Sequence, residues 1–508
     1  MNPALVGPRD SGFESHGPLS PESPPVRYVV PATIDSLIEY ITSPNTHDME
    51  LTKVILMLYR KFMSPCDLLD KLVDRFDVVD LSYDRGVEDP ASPIDPVQLR
   101  VCNIIIHWCE TYWCDFRPAK MRLTLHIFLS RCRGRQEYTA IVKKLDDFLR
   151  NDVHFHENEP DWGIGYCAED EDEDLPDDAS SSLNRDSLAE KVASHSHHTA
   201  APSPDDEDAP STATPRSIKH RLSTLSLLPL PSHKTYDLLK RMTSGSADRS
   251  SAHSAVYSEE EYNARCKALL KIDADQIAQQ LNLIDFDYFQ KIQPRDLVEH
   301  IWNKKSNSQY SNSVAASIAH FNFIASWAKS LVLSQKKPKA RAVIMLKLMR
   351  VALYLRNFNN FNSAMALVAA LSSGPIQRLR LTQHYYYDQP THQNFRKLEM
   401  MFTSERSFGI YRAVFRMSPL PAIPYLGVFL RDLVYLEECY RDFKEDGTLN
   451  LGKFIAIGDV ILMLMSIKAR PYTEKVNPEI VSLILGKAVL SDEDCYTISQ
   501  QLEPRTES

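Results

Sequence analysis

The chain has 508 residues, of which 43% are hydrophobic and 25% charged, and only 15 are glycine. Nucleotide-cradling loops, Rossmann sheets and many-stranded barrels depend on glycine for tight turns and close backbone approach, so this scarcity points to an all-α protein. A net charge of −9 argues against a general nucleic-acid binder, but it is unevenly spread: between Glu157 and Pro215 there are 17 acidic residues against two basic ones, which leaves the remaining chain at about +6.

The opening 25 residues are polar and proline-rich, without the apolar core of a signal peptide, and no run of about 20 apolar residues spans a membrane. Nine irregularly spaced cysteines read as reduced thiols. Together these features predict a cytoplasmic protein whose membrane contact comes through partners.

In chain order, residues 1–27 read as a disordered leader. Helical periodicity begins at 28 and runs to 150: Ile34, Leu37, Ile38 and Ile41 share one face, with Thr33 as the N-cap. Helices follow at Leu51–Phe62, Cys66–Phe76, Leu99–Trp113, Lys120–Arg131 and Glu137–Leu149, with breaks at Ser64-Pro65 and Arg117-Pro118. Residues 151–256 are acidic, serine-rich and proline-rich, too polar to offset the entropy of folding, and predict a disordered linker whose Ser223 and neighbours offer sites for kinases or adaptors.

A second helical domain is expected over 257–508. Asp273 caps a helix at Asp275–Leu281, and Pro294 opens one running to Trp302. Ala340–Leu355 is apolar over a wide arc with Arg341, Lys347 and Arg350 on its remaining edge, and Ser363–Leu371 is apolar all round and therefore central. Ser491 and Asp494 mark the start of the last helix.

No phosphate loop, nucleophile elbow or zinc-protease pair occurs, which favours binding or switching over covalent catalysis. Cys102, His107, Cys109 and Cys114 are close in sequence, but Cys102 and Cys109 simply share a helical face and lack the paired short spacings of structural zinc. His195, His197 and His198 fall in the linker and read as inert, and the run Glu169–Asp174 reads as a solvated spacer. Adjacent Glu437 and Glu438 point about 100° apart on a helix and read as surface charge. The segment Asn357–Asn362 is a helix connection in which Phe361 faces either the core or a partner.

The stretches IAQQLNLIDFDYFQKIQPRDLVEHIW (277–302), Phe321-Asn322 with Trp327, LRNFNNFNSAMALVAALSSGPIQRLRLT (355–382), YRAVFRMSPLPAIPYLGVFLRDLVYLEE (411–438) and the closing LEPR (502–505) resemble the catalytic domain of Ras-family guanine nucleotide exchange factors. TIDSLIEYIT (33–42), YRKFMSPCDLLDKLVDRF (59–76) and VCNIIIHWCETYWCDF (101–116) resemble the Ras exchanger motif that accompanies it. The resemblance implies an all-helical protein that grips a Ras-type or Rap-type GTPase and drives out GDP with a helical hairpin, without a metal or organic cofactor and without covalent chemistry.

It further implies that Phe361 and Asn322 meet the GTPase switch II segment. The hairpin is expected from about Leu379 to Met417, with Leu379, Thr382, His384 and Tyr411 on it and Pro421 and Pro424 supporting it. Gln383-His384 depart from the aromatic and acid usual there, and the block Thr448–Phe454 keeps the family pattern loosely. These departures motivate a rival, a non-catalytic GTPase-binding scaffold. A helical-repeat protein would need a period that the sequence lacks.

Overall fold

The computed structural model describes residues 33–45, 48–82, 95–133, 136–150, 259–298, 313–486 and 489–504. The expected leader and the whole of the expected linker, with Ser223 and the linker histidines, lie outside them. Among the described residues there is no strand, only isolated bridges at Asn360–Ile423 and Phe443–Leu449.

The first helical group comprises α1 (Ile34–Thr42), α2 (Met49–Leu58), α3 (Pro65–Ser82), α4 (Pro96–Thr111), α5 (Ala119–Cys132) and α6 (Thr139–Arg150). Thr33 caps α1 by accepting from Ser36 N, as its position predicts. Helix α4 starts three residues earlier than the periodicity suggests, because Asp95 accepts from Val97 N at 2.7 Å and Pro96 suits the first turn. Buried Asp115 organises this group: it accepts from Tyr59 Oη at 2.6 Å, Trp108 Nε1 at 2.7 Å and Arg60 Nε at 3.1 Å. The short 3₁₀ turn Tyr59–Lys61 that ends α2 is thereby fixed in place.

The second group comprises α7 (Glu259–Lys271), α8 (Ala274–Gln290), α9 (Ser313–Leu333), α10 (Pro338–Asn357), α11 (Phe361–Leu371), the single turns α12 (Gly374–Gln377) and α13 (Arg380–Gln383), α14 (Pro390–Met401), α15 (Gly409–Met417), α16 (Leu426–Cys439), α17 (Leu451–Ile467), α18 (Pro478–Leu485) and α19 (Asp492–Leu502). Helix α11 is central as expected, packed against α8, α9 and α10, with Ala364, Ala366, Leu367, Ala370 and Leu371 buried. Asn360 caps it by accepting from Ser363 N at 3.0 Å. Pro294 opens only a 3₁₀ turn, Pro294–Leu297, after which Val298 is extended, so the helix expected to reach Trp302 ends there and the rest lies outside the described residues.

One edge residue of α10 is a correction. Arg341 is fully buried rather than solvated. Its Nη2 donates to Glu503 Oε1 at 2.5 Å, its Nε to Thr382 Oγ1 at 2.8 Å, and its Nη1 to Gln335 O and Lys336 O. Glu503 also accepts from Leu381 N and from Thr382 N and Oγ1. A buried guanidinium is tolerated only when a carboxylate and further acceptors surround it. Helical periodicity places Arg341 on a polar edge but carries no record of the distant Glu503 that makes burial affordable.

Candidate functional site

Helices α16 and α17 form an antiparallel pair joined by a tight loop, in which Gly447 takes φ +79° and Lys444 N donates to Thr448 O at 2.8 Å. The base of α16 is held by backbone bonds from Phe361 N to Ile423 O at 2.9 Å and from Ile423 N to Asn359 O at 3.0 Å. Tyr425 N donates to Tyr411 Oη at 2.9 Å, and Arg412 grips Asp432 with two nitrogens, each at 2.7 Å from a carboxylate oxygen. Around them Phe361, Phe402, Tyr411, Phe415 and Phe429 pack in edge and stacked contacts. At the far end of α17, Lys468 Nζ donates to Ile292 O; burial brings its pKa down to about 8, against the pull of Asp296.

The first helical group braces the rest of the pair. Helix α2 crosses α17 at Gly458, where a Cβ would stand 2.3 Å from Val54 Cγ2, so only glycine allows this approach. Phe62 meets Phe454 edge-on at 5.1 Å. Lys61, positioned by the turn that Asp115 fixes, pairs with Glu437; Lys453 lies 3.4 Å from the same carboxylate and 2.5 Å from Asp442. Burial would raise the Glu437 pKa, but the bonds and charges of Lys61 and then Lys453 outweigh it and hold the carboxyl below its ordinary value. Glu437 is therefore an interface group and not the surface charge its position suggests.

The opposite face of α16 is left outward. Arg431, Tyr435 and Glu438 sit at i, i+4 and i+7; Tyr435 and Glu438 are exposed and Arg431 is half-buried. Burial lowers the Arg431 pKa against the pull of Asp432, and its guanidinium lies 5.1 Å over the ring of Phe408. Phe408 closes a run of left-handed residues, Arg406, Ser407 and Phe408, with φ of 48°, 53° and 64°. Three consecutive non-glycine residues in this region store backbone strain beside the pair.

The stretch from Leu379 to Met417 carries α13, α14 and α15. Its helix α13 is one turn long, α14 lies along α10, and α15 buries Tyr411 in the aromatic cluster. Leu379, Thr382, Tyr411 and Phe361 are all fully buried, and burial drives the Tyr411 pKa well up. Phe361 therefore faces the core. His384 is exposed, Pro424 is buried and Pro421 half-buried beside the base of α16, and Asn322 is half-buried with Nδ2 unpaired. Phe454 and Lys453, in the loosely matching block, are both buried in the brace. The pair of long apolar helices on either side of the KEDGT turn, directly after the prolines, is not among the residues singled out from the sequence.

Cys102, Cys109 and Cys114 are buried in the first group, and no cluster of three or more His, Cys, Asp or Glu among the described residues is placed to hold a metal.

Residues 276–455 match the RasGEF domain, and residues 29–128 match the RasGEF N-terminal motif. The chain carries a RasGEF domain together with its N-terminal motif. It is 28% identical over 475 residues to Ras guanine nucleotide exchange factor J of Dictyostelium discoideum, covering 93% of this chain and 48% of that protein. To factor I of the same organism it is 26% identical, over 97% of this chain and 48% of the relative. Rap guanine nucleotide exchange factor 1 of Homo sapiens is 29% identical over 243 residues, 48% of this chain and 22% of that protein. The chain thus spans about half the length of the first two relatives. The match to the RasGEF domain runs through α16 and into α17, and the N-terminal motif contains α2, Lys61 and Phe62.

Proposed function

We propose that this chain is a guanine nucleotide exchange factor for a Ras-type or Rap-type small GTPase, and that α16–α17 is the hairpin that opens the nucleotide site. The observation that carries this reading is the arrangement of that pair: fixed at its base by the aromatic cluster, braced along one side by the N-terminal motif, and exposed on the face bearing Tyr435 and Glu438. A wedge that displaces a bound nucleotide and its magnesium must resist being pushed back, and a rigid second layer supplies that resistance. The names of the relatives, which include exchange factors for Ras and for Rap, support the partner class.

No covalent bond is made or broken in this mechanism. Binding that favours the nucleotide-free GTPase weakens nucleotide affinity by the same factor, so GDP leaves and GTP replaces it. Glu438, exposed and without an ion pair among the described residues, offers a carboxylate that competes with phosphate for the magnesium site. Among the described residues no helix is long and apolar enough to cross a membrane; recruitment to the inner face of the plasma membrane, through partners, belongs to the same proposal.

The test is release of labelled GDP from a panel of Ras and Rap proteins by the full chain. Faster release from one member names the target, and Glu438→Gln should slow release while leaving binding to the nucleotide-free GTPase intact. Tight binding with unchanged release would instead make the protein a scaffold.

A further inference from the structure

Arg356 stands in the last turn of α10, where a cation is favoured by the helix-end carbonyls. Its guanidinium turns elsewhere. It lies 5.3 Å over the ring of Phe361, and its hydrogen bond is a long one, 3.5 Å from Nη1 to Asn359 Oδ1. Among the described residues no carboxylate pairs with it. Its pKa is lowered by burial, with no neighbouring acid to counter that effect.

The surface beside it is open. Asn359 Nδ2 donates to Pro419 O at 3.0 Å, which draws the end of α15 alongside, and there Met417 is 85% exposed. The backbone carbonyl of Asn359 accepts from Ile423 N at the base of α16, so this patch adjoins the proposed hairpin. Charge reinforces the picture: between His300 and Tyr387 the chain has twelve Lys and Arg and no Asp or Glu. Arg341 and Lys329 within that stretch find acidic partners from the C-terminal segment, Glu503 and Asp492, whereas Arg356 finds none.

We propose that Arg356 anchors a carboxylate on the switch surface of the docked GTPase and selects GTPases that present an acid there. This rests on the exchange reading above and adds to it a determinant of partner choice. A planar guanidinium held over a ring is preorganised for two parallel bonds to a carboxylate, and the exposed Met417 excludes water once the partner is seated. Specificity then follows from the penalty on a partner that leaves the half-buried cation unpaired.

The experiment uses the full chain and measures GDP release and binding to nucleotide-free GTPases across a range of salt concentrations. Arg356→Ala should weaken binding about tenfold, as a rise in KM with the maximal rate largely kept, and should flatten the salt dependence. Arg356→Glu should weaken it further, Arg356→Lys should fall between, and one acid-to-Arg change on the GTPase switch surface should restore the Arg356→Glu variant. Unfolding midpoints equal to the parent's exclude a folding defect. If the parent exchanges and Arg356→Glu keeps the parent's KM and salt dependence, the inference is wrong. If the parent neither binds nor exchanges any GTPase, the exchange reading itself fails and the inference falls with it.

Discussion

The stretch 379–417 and the pair α16–α17 are both helical and lie next to each other in sequence, yet different parts of the molecule hold them. The first is locked from within: Thr382, Arg341 and Glu503 form a buried polar knot that ties α10 and α13 to the residue after α19, and Tyr411 fills the aromatic cluster. The second is held from outside its own domain, by Val54, Lys61 and Phe62 of the N-terminal motif. Residues that carry the resemblance most visibly can therefore be architectural, while the element proposed to work on the partner is braced by a separate module.

The largest effect should come from breaking the knot. Glu503→Ala leaves Arg341 charged, buried and short of its carboxylate, a change that costs about 3–5 kcal/mol. Chemical denaturation should show it as a loss of global stability, and exchange activity should fall only as far as folded protein is lost. Gly458→Val should do the opposite. A branched side chain driven into Val54 costs about 1–3 kcal/mol by overpacking and parts α2 from α17. Hydrogen exchange should then quicken in α16 and α17 while α8–α11 stay protected, and GDP release should slow although the core remains folded. Equal loss of protection in both regions would mean that the pair is not an independent unit.

The all-helical fold and most helix positions were legible in the sequence because local rules decide them: Thr33 and Ser491 cap helices, and apolar spacing marks α1, α4 and α11. The site was less legible. Periodicity reports which face of a helix is buried but not what it is buried against, so Arg341 looked solvated, Glu437 looked like surface charge, and Phe361 stayed open between core and partner. Each was decided by a residue far away in sequence: Glu503 for Arg341, Lys61 for Glu437, Tyr411 and Phe415 for Phe361. The proposed place of the hairpin likewise rests on contacts with the N-terminal motif that local periodicity does not report.

A finer test of the brace is Lys61→Met, which removes one of the two cations on Glu437 and should cost about 1 kcal/mol at neutral pH, because the carboxylate is partly exposed and Lys453 remains. The pH dependence has a definite sign. The folded Glu437 pKa lies below its ordinary 4.5, so the stability it contributes is complete above that value and is lost as pH falls through the folded pKa. The difference in denaturation midpoint between parent and Lys61→Met should therefore narrow in acid. A difference that stays constant into acid would show that Lys61 acts by packing and not by charge.

The smallest effect should come from His384→Ala. His384 is exposed and lies beside Tyr385, with ring centroids 5.9 Å apart, while the inward groups of that turn belong to Thr382. Stability should change by less than about 0.5 kcal/mol, as for a surface substitution away from any buried feature, and GDP release should be unchanged. This null result discriminates between the two regions. If His384→Ala left the fold intact and yet slowed release several-fold, the stretch 379–417 would have to touch the GTPase, and the assignment of the working hairpin to α16–α17 would be overturned.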